Sequence, residues 1–89
     1  MLMSGIIRDH IDRYRRRVAC MSTDEFREEC KERAASMPGG YKWKYCIVRD
    51  EYHLRLKQGR LPKDFPNDNQ QLGSEVLTRW QRLMGADLF

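Results

Sequence analysis

The chain of 89 residues predicts an all-α fold, a small bundle of about four helices with a long polar loop before the last helix. Three observations lead to this fold class. Apolar side chains recur at helical spacing near both ends, a capping box marks a helix start, and glycine or proline follows several helical stretches. A chain of this length builds one modest core, so residues 1–89 are expected to form a single small domain.

The first helix is predicted from an apolar line whose members are four, three and four residues apart. We expect it to begin at Ser4 or Gly5. Its apolar side is expected to face the core, and the line continues to Met21. The other residues of this line are Ile7, Ile11, Tyr14 and Val18.

A second helix is predicted to begin at Ser22, which forms a capping box with Glu25. The Ser22 hydroxyl can accept a hydrogen bond from the Glu25 amide, and the Glu25 carboxylate can accept one from the Ser22 amide. The helix should run to about Ser36 and end at Pro38-Gly39-Gly40. The residues expected to face inward are Phe26, Cys30, Ala34 and Met37.

Two structures compete for residues 41–58. Alternating apolar residues fit a hairpin that turns at Asp50-Glu51, which would make the fold α+β. That turn lacks the glycine or asparagine that two-residue turns prefer. A helix gains a Glu51 to Arg55 pair at favourable spacing and a natural end at Gly59. We favour the helix, which must be central because its apolar residues lie on two faces.

Residues 59–73 are predicted to be an irregular loop, since the segment is rich in proline, asparagine, glutamine and aspartate. Leu61, Phe65 and Leu72 are expected to pin this loop to the body. A loop of this length is long for a small domain, and such loops often carry function. A last helix should begin at Ser74 and stop at Gly85. Its apolar residues are Val76, Leu77, Trp80, Leu83 and Met84.

Neither an enzyme nor a metal or cofactor site is expected. The only histidines, His10 and His53, belong to no recognisable catalytic motif. Cys20, Cys30 and Cys46 are an odd number, so we expect reduced, buried thiols rather than disulfides. They have no close metal-ligand pair that would start a zinc site. Apolar runs are far shorter than the ~20 residues of a membrane span. We therefore expect a cytoplasmic protein without membrane association.

The net charge of +4 comes from two basic blocks on either side of an acidic segment. Residues 1–21 hold five arginines and two aspartates, and residues 41–63 hold seven basic and two acidic side chains. In the first block, Arg13 and Arg16 each follow an aspartate by four residues and should be paired with it. Arg8 and Arg15 then share one flank of the helix, and Arg17 lies on the other.

The second block interleaves cations with aromatic rings, a pattern that can bind phosphates while the rings stack on nucleobases. The same pattern is also typical of a solvated helix face around a core stripe. A common footprint requires both blocks to lie on one face of the molecule. The candidate partner- or phosphate-binding residues are Arg8, Arg15, Arg17, Lys42, Trp43 and Lys44, with Tyr45 as a further ring beside them.

The residues Phe26-Arg27, Cys30, Arg33 and Ser36-Met37-Pro38 resemble the helical hairpins of small accessory proteins encoded by phages and related mobile elements. The resemblance covers about a third of the chain. It implies a non-catalytic regulatory or inhibitory protein that binds a host protein acting in nucleic-acid metabolism or defence. The alternative is direct DNA or RNA binding through residues 1–21 and 41–63.

Overall fold

The computed structural model describes residues 2–36, 39–68 and 71–85, and in the first helix it describes side chains from Ile7 onward. This part of the chain forms four helices. They are α1 (Leu2–Ala19), α2 (Thr23–Ser36), α3 (Lys42–Lys57) and α4 (Ser74–Gly85). The all-α prediction is confirmed, and the hairpin alternative for residues 41–58 is wrong because α3 occupies that segment.

Helix α3 is the central helix and packs against each of the other three, while α2 also packs against α4. This position explains its two apolar faces, since the neighbouring residues Ile47 and Val48 point to different sides and are both buried. At its end, Gly59 adopts a positive φ of 70°. Its amide donates to the carbonyl of Leu56, and the next amide donates to the carbonyl of Arg55. This is a Schellman motif, so the predicted end at Gly59 is confirmed.

The capping box at the start of α2 is present. The Ser22 amide donates to the Glu25 carboxylate at 2.9 Å, and the Glu25 amide donates to the Ser22 hydroxyl at 3.2 Å. The bond from the Ser22 amide, together with the Ser22 hydroxyl beside the carboxylate, lowers the pKa of Glu25. Of the residues expected to face inward from α2, Met37 lies outside the described residues. The others are confirmed as buried, and they are Phe26, Cys30 and Ala34.

The apolar line of α1 is buried only in its second half. Tyr14 and Val18 are in the core, but Ile7 is 49% exposed. Ile7 and Tyr41, the residue just before α3, line the same depression in the surface. Met21 follows the end of the helix and packs partly against the core. Among the cysteines, Cys30 and Cys46 are buried as expected, whereas Cys20 is exposed at the end of α1.

A buried arginine joins α3 to the end of α1. Arg55 is 1% exposed, and its Nη2 donates to the carbonyls of Val18 at 3.1 Å and Met21 at 2.8 Å. Its Nε donates to Glu51 at 2.6 Å, and its guanidinium lies 4.4 Å from the ring centre of Phe26. Carbonyls at a helix C-terminus lack partners within the helix and favour a positive charge. Arg55 therefore caps α1 from the side of α3.

A second buried arginine holds the loop before α4. Arg27 is 3% exposed and donates to both carboxylate oxygens of Asp68, at 3.1 Å from Nε and 2.5 Å from Nη2. These bonds lower the pKa of Asp68. Next to them, Phe65 stacks on Phe26 with ring centres 5.6 Å apart. The predicted pinning of the loop is confirmed, since Phe65 is buried and both Leu61 and Leu72 are partly buried.

Candidate functional site

A groove of about 560 Å³ lies between α1 and the start of α3. This volume is within the range of about 300–1,000 Å³ typical of small-ligand sites. The groove, called here the α1/α3 groove, combines aromatic rings with cations. Its lining consists of Ile7, His10, Arg13, Tyr14, Arg17, Tyr41, Trp43 and Lys44. None of these described lining residues carries a carboxylate, so the wall facing a ligand is basic.

Helical spacing explains which α1 residues reach the groove. The lining includes Ile7, His10, Tyr14 and Arg17, which are three, four and three residues apart and so form one stripe along the helix. Arg8 and Arg15, seven residues apart, lie on the other flank. Both are exposed and neither lines the groove. Of the α1 arginines proposed from the sequence as contacts, the groove therefore includes only Arg17.

The α3 side of the groove is a platform of aromatic rings. Tyr41 stacks on Trp43 with ring centres 5.6 Å apart and planes 20° apart, and Tyr41 is 64% exposed. Tyr14 reaches Trp43 from α1 in an edge-to-face contact, with ring centres 5.7 Å apart. The rings thus hold one another, and the outermost ring presents much of its surface to solvent.

Two cations are held over these rings. The Lys44 Nζ lies 5.5 Å from the ring centre of Tyr14 and 5.8 Å from that of Trp43. The Arg17 guanidinium lies 5.2 Å from the ring centre of Tyr14. All three distances are within the range of attractive cation–π contacts. Lys42 is exposed at the start of α3 and does not line the groove.

Glu29 of α2 contacts two of the α1 residues that line the groove, Tyr14 and Arg17. The Tyr14 hydroxyl donates to the Glu29 Oε2 at 2.5 Å, and burial together with this bond raises the pKa of Tyr14. The same carboxylate oxygen lies 3.5 Å from the Nε of Arg33 and 3.8 Å from the Nη2 of Arg17. Glu29 therefore orients the Tyr14 ring and keeps Arg17 at the edge of the groove.

A second cleft of about 910 Å³ opens on the other side of Arg17 and Lys44, between the end of α1 and α2. These two residues line both depressions. The second cleft has mixed charge, because α2 contributes carboxylates to it. Its remaining lining residues are Arg16, Cys20, Met21, Glu25, Glu29, Glu32 and Arg33. Negative side chains make this cleft less suited to an anion than the α1/α3 groove.

The predicted ion pairs of α1 are correct at one position and wrong at the other. Arg13 pairs with Asp9 at 3.1 Å, as the spacing predicts. Asp12 contacts Arg15 at 3.4 Å instead of Arg16. Residues three and four apart are both neighbours on a helix, so the sequence does not decide between them. Arg16 instead lines the second cleft.

The structure brings together Arg17, Trp43 and Lys44, and it adds residues that the sequence analysis did not select. In the sequence, Tyr41 stands out only as part of the ambiguous segment 41–58, and Tyr14 only as part of the apolar line of the first helix. Tyr45, considered as a stacking ring, is 3% exposed and cannot stack on a base. Tyr45 points away from Trp43 because residues two positions apart in a helix do not share a face.

Comparisons with protein families, curated proteins and solved structures found no match to this chain. Within residues 2–36, 39–68 and 71–85, no helix is long and apolar enough to cross a membrane.

Proposed function

We propose that this protein is a small, non-catalytic, cytoplasmic binding protein that contacts nucleic acid directly through the α1/α3 groove. The observation that carries the proposal is the exposed ring platform of Tyr41 and Trp43 with Arg17 and Lys44 beside it. Aromatic rings can stack on any nucleobase, and neighbouring cations attract the phosphates. Both features are present in this one groove.

The distribution of charge supports this proposal. The two basic blocks, residues 1–21 and 41–63, each supply one side of the groove, since α1 carries Arg17 and α3 carries Lys44. Lys44 has no carboxylate within ion-pair distance among the described residues, so its charge is available to a ligand. Three acidic side chains of α2 line the second cleft instead, and they are Glu25, Glu29 and Glu32. The side of the molecule that carries the rings is therefore the side that attracts an anionic polymer.

A second candidate is a regulatory or inhibitory protein, of the kind encoded by phages, that binds an acidic segment of a host protein acting in nucleic-acid metabolism or defence. One observation favours it: Ile7, an apolar residue that lines the groove, is half-exposed. Tyrosine, tryptophan and arginine are also the residues that contribute most to protein interfaces. The same groove would then bind aspartate or glutamate side chains.

The experiment is a fluorescence anisotropy titration of labelled DNA and RNA with two matched pairs of variants. Lys44→Gln is compared with Lys42→Gln, because both lysines lie at the start of α3 and only Lys44 lines the groove. Arg17→Gln is compared with Arg8→Gln on α1. Each pair changes the net charge equally, so any difference within a pair reports position.

Binding is expected to weaken much more for Lys44→Gln and Arg17→Gln than for their matched controls. With these two cations on phosphates, the logarithm of the affinity should fall linearly with the logarithm of salt concentration, with a slope of about −1.4 for a single strand and about −1.8 for duplex DNA. If the affinity falls equally for both variants of each pair, binding depends on net charge alone, and the proposed groove is contradicted. Absence of binding to DNA and RNA at low salt, with capture of an acidic peptide, would favour the second candidate.

A further inference from the structure

Resting on the proposed function, we infer that the α1/α3 groove takes an unpaired nucleobase against the exposed face of Tyr41, with the adjoining phosphates on Arg17 and Lys44. The protein then binds single strands in preference to duplexes. This names the substrate class of the groove, and it assigns to Tyr41 the role of base-stacking residue.

Tyr41 is the most exposed of the stacked rings that line the groove. Trp43 covers one face of Tyr41 in a stacked contact, yet Tyr41 remains 64% exposed. Its opposite face is therefore open to solvent. Trp43 is itself held by the edge of Tyr14, whose hydroxyl is bonded to Glu29. A base that stacks on Tyr41 extends a pile of rings already fixed by the fold, so little ordering is needed on binding.

Single strands and duplexes differ in whether their bases are free to stack on a protein ring. A base within a duplex is stacked on both faces and paired at its edge, so it cannot lie against a protein ring without leaving the helix. Unpaired bases in a single strand can be splayed out and stacked on aromatic side chains. A duplex can reach only the cations, while a single strand can use the cations and Tyr41 together.

The position and length of the groove determine where the phosphates lie and how many nucleotides are bound. The Lys44 Nζ lies 5.8 Å from the ring centre of Trp43, on which Tyr41 stacks, and Arg17 lines the same groove. A strand whose base stacks on Tyr41 can therefore place its phosphates on these two cations. The α1 stripe from Ile7 to Arg17 spans ten residues, about 15 Å. At 3.4 Å or more between nucleotides, this length accommodates at most about five. The bound segment is therefore short.

The test uses a ten-nucleotide oligothymidylate, the same strand paired with oligoadenylate, and an abasic ten-mer with the same phosphates. Each is titrated with the unaltered protein, Tyr41→Ala, Tyr41→Phe and Lys44→Gln. Tyr41 is mostly exposed, so its replacement should leave the fold intact, which circular dichroism confirms for each variant. An oligoglutamate of equal charge serves as competitor.

The expected result is tight binding of the single strand and weaker binding of the duplex and of the abasic strand. Loss of one stacked base by Tyr41→Ala should lower single-strand affinity by about 5- to 150-fold, with recovery in Tyr41→Phe. The same substitution should leave duplex affinity unchanged. Lys44→Gln should weaken all three ligands.

The inference is overturned if the duplex or the abasic strand binds as tightly as the single strand, or if Tyr41→Ala has no effect. In that case, a loss of binding in Lys44→Gln would still support nucleic-acid contact through phosphates. If none of the three oligonucleotides binds, or if oligoglutamate competes as well as the single strand, the proposed function fails together with the inference.

Discussion

Replacing Arg55 with methionine should destabilise this protein more than any surface substitution. The guanidinium is 1% exposed, and it donates to the Glu51 carboxylate and to three backbone carbonyls at the end of α1. Methionine keeps most of the apolar stem and removes the charge and the donors. The change therefore leaves the Glu51 carboxylate, itself nearly buried, without its partner.

The expected size of the effect follows from this burial. Removing one partner of a buried ion pair costs about 3–5 kcal/mol. The lost bonds to the carbonyls at the end of α1 and the lost contact with the Phe26 ring act in the same direction. A domain of this length has a total free energy of unfolding of about 4–13 kcal/mol. Arg55→Met should therefore remove a large share of the stability, and it will unfold the chain if the total is near the lower limit.

The assay is urea denaturation followed by far-ultraviolet circular dichroism. Arg60→Met is the matched control, since Arg60 is exposed and lies just after the end of α3. The control should change the free energy of unfolding by no more than about 0.5 kcal/mol. Adding Glu51→Gln to Arg55→Met should recover part of the loss, because the unpaired carboxylate is then removed. A loss below about 1 kcal/mol in Arg55→Met would refute the reasoning.

Three further predictions concern the same fold. The bond from Arg27 holds the pKa of Asp68 below its ordinary value, so this pair stabilises the fold above the ordinary carboxyl pKa and loses its effect as the pH falls through the folded value. Asp68→Asn should therefore flatten the drop in urea midpoint below about pH 4, as measured by denaturation over a pH series. Ser22→Ala should cost about 1 kcal/mol in the same assay, because it removes the hydroxyl that caps α2. In native protein, a thiol reagent should label Cys20 at once and Cys30 only on unfolding, because burial raises the pKa of the Cys30 thiol and shields it.

The elements of the fold could be predicted because each has a local signal. The Ser22 and Glu25 capping box, the helix end at Gly59 and the apolar residues of α2 all depend on neighbours within a few positions. Such signals are present in the sequence itself. The choice of helix over hairpin for residues 41–58 was also correct, since the turn residues were unsuited to a hairpin.

The buried arginines could not be predicted by the same means. In the sequence, nothing distinguishes Arg27 and Arg55 from the exposed arginines of α1. Their burial depends on residues far away along the chain, since Asp68 lies 41 positions from Arg27 and Val18 lies 37 positions from Arg55. A buried charge requires those partners. The spacing predicts that Glu51 and Arg55 are neighbours on a helix, but it carries no information on whether the pair is buried.

Only part of the candidate site could be predicted, again because it depends on contacts between residues far apart in the sequence. Trp43, Lys44 and Arg17 were selected from charge and aromatic content, which are local properties. Their meeting in one groove depends on how α3 packs against α1. The same packing leaves Arg8 and Arg15 on the opposite flank and exposes Tyr41, which no local signal distinguished from a core ring.

The most direct test of the central claim is the fluorescence of Trp43 during titration with a single-stranded oligonucleotide. Trp43 and Trp80 are the two tryptophans of the chain, so Trp80→Phe leaves Trp43 as the reporter, and Trp43→Phe leaves the buried Trp80 as the control. If a base stacks on the platform, Trp43 emission should be quenched to saturation with the same Kd as anisotropy, and Trp80 emission should not change. Binding seen by anisotropy with no change in Trp43 emission would contradict the account.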